Sequence, residues 1–164
     1  AEQEECEPSF QHFAADTIPK VALPGALVTV MAGTAFGVTS PVPARSPTVY
    51  LDMQLQAGGA LTLTADYSER ALYALDAGCT LDGTELPQHQ MLVLPTGSAP
   101  RLQARDKARV VLVGGEPLGH RHIVWNFVSS RKERLVQARD DWMAQRFPGI
   151  AGETEFIPFP AAKP

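Results

Sequence analysis

Two glycines, Gly59 and Gly78, frame a spacing that suits a metal-binding site, but the positions between them carry no side chain that could hold a metal. The pattern Gly-x5-His-x-His-x3-Glu-x6-Gly would place ligands where this sequence has Ala65, Tyr67 and Ala71. A site of two imidazoles and one carboxylate needs all three groups on one cation, with positions left open for substrate or oxygen. Two methyl groups and a phenol cannot replace them. The sequence therefore predicts the frame of a metal site without its metal.

A second, weaker pattern follows at Pro95, Gly97 and Pro100. Here Pro-x-Gly-x2-His would place a fourth ligand at residue 100, where proline offers no lone pair. The two spacings resemble the paired motifs of the cupin family of β-barrels. Because glycine patterns alone are weak signals, two hairpin turns of matching spacing are the alternative interpretation.

Alternation along residues 61–67 favours a strand over that alternative. In a strand, alternate residues lie on opposite faces, so Thr62, Thr64 and Asp66 would share one face and the odd-numbered residues the other. The odd-numbered residues are Leu61, Leu63, Ala65 and Tyr67. We therefore expect the vacated ligand positions to point inward and to line a cavity together with Ala71 and Pro100.

Composition and charge exclude several classes of function. The chain has 164 residues, of which 45% are hydrophobic and 20% charged, enough for one packed domain. A net charge of −4 gives no general reason to bind nucleic acid or an anionic membrane. No apolar run approaches the roughly 20 residues that span a bilayer, and the start lacks the features of a signal peptide. We expect a soluble, cytoplasmic protein.

Short β-prone runs between glycine, proline and Asp-Gly signals fill residues 18–128, which predicts an all-β sandwich or barrel. Residues 49–55 alternate most clearly between apolar and polar side chains. Asp82-Gly83 predicts a tight hairpin turn. The continuous apolar runs 91–94 and 110–113 are expected to be buried on both faces or to lie at the centre of the sandwich.

The two ends of the chain have different predicted roles. The acidic residues 1–17, which start without Met, are interpreted as a leader or interdomain linker within a longer protein. Residues 129–147 predict an amphipathic helix that begins at a capping box of Ser130 and Glu133. Residues 148–164 predict an extended tail rich in proline and phenylalanine, which we expect to pack on a surface.

Few other residues could do chemistry. Cys6 and Cys79 are interpreted as free thiols, because their spacing matches neither a zinc knuckle nor a disulfide framework. His120 and His122 would share one face of a strand and could bind a cation, but they need a third ligand. We favour two surface histidines, and keep a metal enzyme built on them as the alternative.

Several stretches resemble the pirin family and cover nearly the whole chain. They are Ser-Pro-Val at 40–42, Ser-Pro-Thr-Val-Tyr-Leu-Asp at 46–52, Gly-Gly-Glu-Pro-Leu at 114–118, residues 125–134, and Glu-Phe-Ile-Pro at 155–158. The resemblance implies a bicupin of two jelly-roll barrels, with iron bound by three His and one Glu in the N-terminal barrel. This sequence is similar only to the C-terminal barrel, which is metal-free in most members, so no iron ligand is carried over.

The resemblance also implies a function. Pirins include quercetin 2,3-dioxygenases and a redox-sensitive transcriptional coregulator, and both activities depend on the metal-binding half. This chain would by itself be no enzyme and hold no cofactor, acting as the structural and regulatory partner of an N-terminal cupin domain. We expect self-association in the absence of that domain, through an interface formed by Trp142, Phe147, Phe156 and Phe159. Two alternatives stay open: a module that binds a small apolar molecule in its cavity, and a coregulator-like protein-interaction module.

Overall fold

The structure, a computed structural model, describes residues 4–7 and 9–160. Within these residues the chain divides into two units. The barrel unit contains residues 9–117, and the terminal unit contains residues 4–7 together with 118–160. Residues 1–3, 8 and 161–164, which belong to the predicted leader and tail, lie outside the described residues.

The barrel unit consists of antiparallel strands in two main sheets, which confirms the predicted all-β jelly-roll class. The larger sheet has the order β1-β2-β5-β12-β7-β10. Its strands are β1 Lys20–Leu23, β2 Ala26–Ala32, β5 Thr48–Leu55, β7 Glu69–Ala74, β10 Met91–Leu94 and β12 Ala108–Gly115. The smaller sheet has the order β6-β11-β8-β9. Its strands are β6 Ala60–Thr62, β8 Cys79–Leu81, β9 Thr84–Leu86 and β11 Arg101–Ala104. A further short pair joins β3 Thr34–Ala35 to β4 Val38–Thr39.

Alternating side chains build the core of this unit, and β5 is the clearest example. Val49, Leu51, Met53 and Leu55 on its inner face are each at most 2% exposed, as the period-two pattern predicts. The predicted turn is also confirmed, because β8 and β9 are joined by Asp82 and Gly83 with φ angles of 47° and 83°. Two successive positive φ angles match the twist that a two-residue hairpin needs.

The apolar run 91–94 is not buried on both faces as expected. It forms β10, which among the described strands pairs only with β7 and so lies at the edge of the larger sheet. Met91 and Val93 are 59% and 73% exposed, whereas Leu94 is buried. The prediction failed because a run of apolar residues does not reveal whether another layer covers the outer face of its sheet.

The terminal unit contains a hairpin and the single described helix. Strands β13 His122–Val124 and β14 Phe127–Ser129 pair with each other, and α1 spans Lys132–Met143. The predicted barrel ran to residue 128, but the division between units falls before Leu118, because β13 and β14 pack with α1. Among the described residues, no helix is long and apolar enough to cross a membrane.

The start of α1 differs from the predicted capping box. Arg131 occupies the N-cap position without a side-chain cap, and Ser130 donates its hydroxyl to the Glu4 carboxylate at 2.8 Å. The Ser130 amide donates to the same carboxylate at 3.2 Å. Glu5 binds the guanidinium of Arg134 at 2.9 Å. Glu4 and Glu5, assigned from sequence to a linker, thus belong to the terminal unit and bind Ser130 and Arg134 at the start of α1.

Candidate functional site at the vacated ligand positions

The four vacated ligand positions differ in their exposure to solvent. Ala65 is exposed, Tyr67 and Ala71 are half-buried, and Pro100 is buried. The expected inward orientation fails at Ala65 because β6 ends at Thr62, so the alternation of a strand does not continue through residue 67. Without that strand, residue parity no longer decides which way a side chain points.

Ala71 points away from the core for a different reason. It lies within β7, where the inner face belongs to Arg70, Leu72 and Ala74, all buried. Successive side chains of a strand face opposite sides of the sheet, so Ala71 is on the outer face. A carboxylate at this position would not reach the interior of the barrel.

Tyr67 is held by the backbone of β3. Its hydroxyl accepts a hydrogen bond from the Thr34 amide at 3.0 Å and donates to the Thr34 carbonyl at 3.3 Å. Gly33 makes this approach possible, because an added Cβ there would lie 2.9 Å from the hydroxyl. The phenol is therefore engaged in packing and hydrogen bonding rather than directed at a shared centre.

Arg70 is the residue at this end of the barrel that sequence reasoning missed. Its side chain is 2% exposed, and its Nη1 donates to the Thr64 carbonyl. Its Nη2 donates to the Pro95 carbonyl at 3.2 Å and to the Ser98 hydroxyl at 3.4 Å. Nε has no hydrogen-bond partner among the described residues. The sequence did hold a signal for it: Arg70 is two residues before Leu72 and therefore on the same, otherwise apolar, face of the predicted strand.

Polar contacts hold the segment between β6 and β7 as well. Glu116 accepts hydrogen bonds from the Ser68 amide at 3.0 Å and from the Ser68 hydroxyl. These two donors, the hydroxyl first, lower the pKa of the Glu116 carboxyl below its usual value. Thr96 donates its hydroxyl to the Ser68 carbonyl at 2.9 Å. The two motif segments, 59–71 and 95–100, are therefore joined by side-chain bonds.

These residues do not fit a bound metal. None of the four vacated positions supplies an imidazole, carboxylate or thiolate, and two of the four do not face the interior. The Arg70 guanidinium adds a fixed positive charge beside them, bonded to Thr64 and to the second motif. A divalent cation would meet repulsion there and no suitable donors.

The histidine pair and the cysteines offer no completed site within the described residues. His120 Nε2 lies 3.2 Å from His122 Nδ1, so the two rings are adjacent, but His120 precedes β13 and does not share a strand face with His122. No group of three or more potential metal ligands occurs in the described part of the chain. Cys6 is exposed, and Cys79 is buried, which raises the pKa of its thiol and makes it a poor nucleophile.

The outer face of the larger sheet is apolar where it crosses four strands, and we call this surface the outer apolar face. One row runs from Val93 through Ala71 and Val113 to Tyr50, each directly paired with the next. A second row runs from Met91 through Tyr73 to Val111. Val93, Met91, Tyr50 and Val113 are 73%, 59%, 40% and 37% exposed.

The four residues predicted as an interface lie in an aromatic cluster of the terminal unit. Trp142 is central, with its ring centroid 5.6 Å from those of both Phe147 and Phe156. Trp125 joins the group, 5.3 Å from Trp142 and 5.5 Å from Phe159. Trp142 Nε1 also donates to the Ile157 carbonyl at 2.8 Å, which fixes the tail on the helix. Their role at an interface stays a prediction.

Comparisons with known proteins agree with this architecture. Residues 50–148 match the family described as the pirin C-terminal cupin domain. A pirin-like protein of Caulobacter vibrioides is 41% identical over 162 residues, covering 97% of this chain and 56% of that protein. A putative quercetin 2,3-dioxygenase of Pseudomonas aeruginosa is 30% identical, covering 86% and 45%.

A solved structure gives the same picture. A quercetin 2,3-dioxygenase from Acinetobacter baumannii superimposes with a TM-score of 0.78 at 29% identity, covering 89% of this chain and 51% of that chain. The chain spans about half the length of the curated relatives it matches. The matched family, the two-sheet barrel and the vacated motif together show that this chain belongs to the pirin family, as a C-terminal cupin domain.

Proposed function

We propose that this chain is the metal-free C-terminal half of a two-cupin protein and that it functions by packing against an iron-binding N-terminal cupin half. In this role it covers apolar surface of its partner, fixes the cleft between the halves and limits access to the iron. The lengths of the relatives support the proposal, because the chain accounts for only about half of each.

The outer apolar face is the observation that carries the proposal. An antiparallel sheet with one face on a core normally presents polar side chains on the other face. Here two adjacent rows are apolar, with Val93 and Met91 more than half exposed. Asp52, at the end of the second row, is bonded to Arg109 at 2.7 Å and so is already paired. Contiguous apolar surface of this kind marks a protein interface.

The metal-free state is supported by the side chains at the motif positions. Ala65, Tyr67, Ala71 and Pro100 provide no suitable ligand set, and the Tyr67 hydroxyl is bonded to Thr34. A single buried guanidinium beside them opposes a cation. We therefore assign the redox chemistry to the N-terminal half and none to this chain alone.

Two relatives, one named quercetin 2,3-dioxygenase and one named putative quercetin 2,3-dioxygenase, support a proposal for the activity of the longer protein. We propose that the longer protein is an oxygenase of that type. The small-molecule alternative needs Ala65 and Ala71 to open room inside the barrel, and neither residue faces it. No observation favours it over the structural role.

The test is binding between separately expressed halves. The N-terminal half of the Caulobacter relative is titrated with this chain by calorimetry, and we expect a 1:1 complex. Val93→Lys combined with Val113→Lys should weaken binding at least tenfold, because both charges would be buried in the contact. Gln103→Lys, on an exposed position of the smaller sheet, is the matched control and should bind as the unmodified chain does.

Two further results decide the proposal. Without the N-terminal half, the chain should self-associate in light scattering, and the double variant should be monomeric. Elemental analysis of the purified chain should find less than about a tenth of an equivalent of iron or zinc, as an incomplete site holds metal poorly. Equal binding of the double variant and the control, or one equivalent of metal, would contradict the proposal.

A further inference from the structure

We propose that the Arg70 guanidinium replaces a metal ion as the cross-link at the motif end of the barrel. The inference rests on the proposed function, because it assumes that the barrel holds no metal. In a ligand-bearing barrel of this spacing, one cation would join the segment around residues 65–71 to the segment around residue 100. Arg70 joins the same two segments through hydrogen bonds.

The positions of its partners carry the argument. Thr64 directly precedes the first vacated position, and its carbonyl accepts from Nη1. Pro95 opens the second motif, and Ser98 lies between its glycine and residue 100. Both accept from Nη2. A planar guanidinium with five N–H donors can hold several acceptors at fixed angles, which a single ammonium group cannot.

Burial makes this arrangement costly to leave incomplete. Arg70 is 2% exposed, and no ion pair to a carboxylate is found for it among the described residues. Its positive charge is stabilised by hydrogen bonds to carbonyl and hydroxyl oxygens alone. The same hydrogen bonds fix the positions of those oxygens. Gly114 leaves space for the side chain, since a Cβ there would come within 2.9 Å of Arg70 Cγ.

The consequence is that order in the two motif segments depends on Arg70. Two backbone amides report on it directly. The Leu63 amide donates to the Pro100 carbonyl at 3.0 Å and joins the segments, and the Ser98 amide donates to the Pro95 carbonyl at 3.1 Å within the second motif. Both amides should exchange slowly with solvent while the cross-link is present.

Hydrogen exchange of Arg70→Met and Arg70→Lys tests the inference. Arg70→Met should speed exchange at Leu63 and Ser98 at least tenfold, while the amides of β2 and β5 stay within about twofold of the unmodified chain. Arg70→Lys keeps the charge but not the fork, so its effect should be intermediate; it also serves if the Met variant does not fold. Ser98→Ala removes the longest Arg70 contact, at 3.4 Å, together with the hydrogen bond that the Ser98 hydroxyl donates to the Pro95 carbonyl at 2.7 Å, but it leaves the contacts of Arg70 with Thr64 and Pro95 in place, so the Leu63 amide should exchange nearly as in the unmodified chain.

Unchanged exchange at Leu63 and Ser98, or an equal rise throughout the barrel, would overturn the inference. The proposed function fails by a different result, the presence of about one equivalent of metal in the purified chain. The two failures are therefore distinguishable, because one is read from amide exchange and the other from elemental analysis.

Discussion

Replacing Trp142 by alanine should release the tail from the terminal unit. The Trp142 ring lies within 5.3 to 6.3 Å, centroid to centroid, of the rings of Trp125, Phe127, Phe147 and Phe156. Such pairs contribute about 0.5–1.5 kcal/mol each beyond burial, and a fully buried Trp→Ala change costs about 3–5 kcal/mol. Because Trp142 is half-buried and also loses its bond to Ile157, we expect about 3 kcal/mol.

That loss should be local, because the terminal unit has little else to hold it. Leu135 and Ser129 are the only buried residues in its described part. Arg146, between the helix and Phe147, provides a tryptic site whose cleavage reports on opening of the tail. A loss of about 3 kcal/mol corresponds to roughly 100-fold faster cleavage when opening is fast relative to cutting.

Met143→Ala is the matched control, since Met143 follows Trp142 on the helix and is 62% exposed. It should leave cleavage at Arg146 within about twofold of the unmodified chain. If Trp142→Ala behaves as the control does, the aromatic cluster does not hold the tail. If the variant changes only the association state and leaves the tail protected, Trp142 acts at an interface alone.

Two further predictions concern the chain start and the first motif glycine. Glu4→Gln should loosen the start of α1 at neutral pH. Hydrogen bonds from the Ser130 hydroxyl and amide lower the pKa of the Glu4 carboxyl. The stabilisation they give is therefore complete above the usual carboxyl pKa of about 4.3 and is lost as the pH falls through the lowered pKa. Amide exchange of α1 at neutral and acid pH checks this, with Glu7→Gln as the control; a pH response unaltered by Glu4→Gln would refute it. Gly59→Ala should cost about 2–3 kcal/mol in thermal unfolding, because its Cβ would overlap the Gly25 carbonyl oxygen. Gly58→Ala, where φ is +72° and space is open, should cost only about 1 kcal/mol, and equal melting temperatures would contradict the reasoning.

Features decided by neighbouring residues were predictable from sequence. The alternation of β5 and the Asp82-Gly83 turn depend on local backbone preferences, and the structure has both. The family resemblance rested on runs such as residues 46–52 and 125–134, and the match to residues 50–148 agrees with it. The first motif glycine also has a local structural reason, because a Cβ at Gly59 would lie 2.1 Å from the Gly25 carbonyl oxygen.

Features decided by distant contacts were not predictable. The alternation of residues 61–67 looked like one strand, but pairing with β11 ends at Thr62, which leaves Ala65 outside. Ser130 and Glu133 fit a local capping box, yet Glu4 binds Ser130 from 126 residues away. Arg70 became visible only when its partners in the second motif were in place.

The place of residues 4–7 has a consequence for how the protein is made. Glu4 is synthesised before the barrel strands, but its partner Ser130 is synthesised 126 residues later. By then the last barrel strand, ending at Gly115, has already been made, so the barrel can close first. Glu4 and Glu5 have no bound partner during this interval. Their contacts with Ser130 and Arg134 join residues far apart in sequence, so we expect these contacts to form slowly and late. A chain truncated just before residue 130 would therefore contain every barrel strand but lack the Ser130 partner of Glu4.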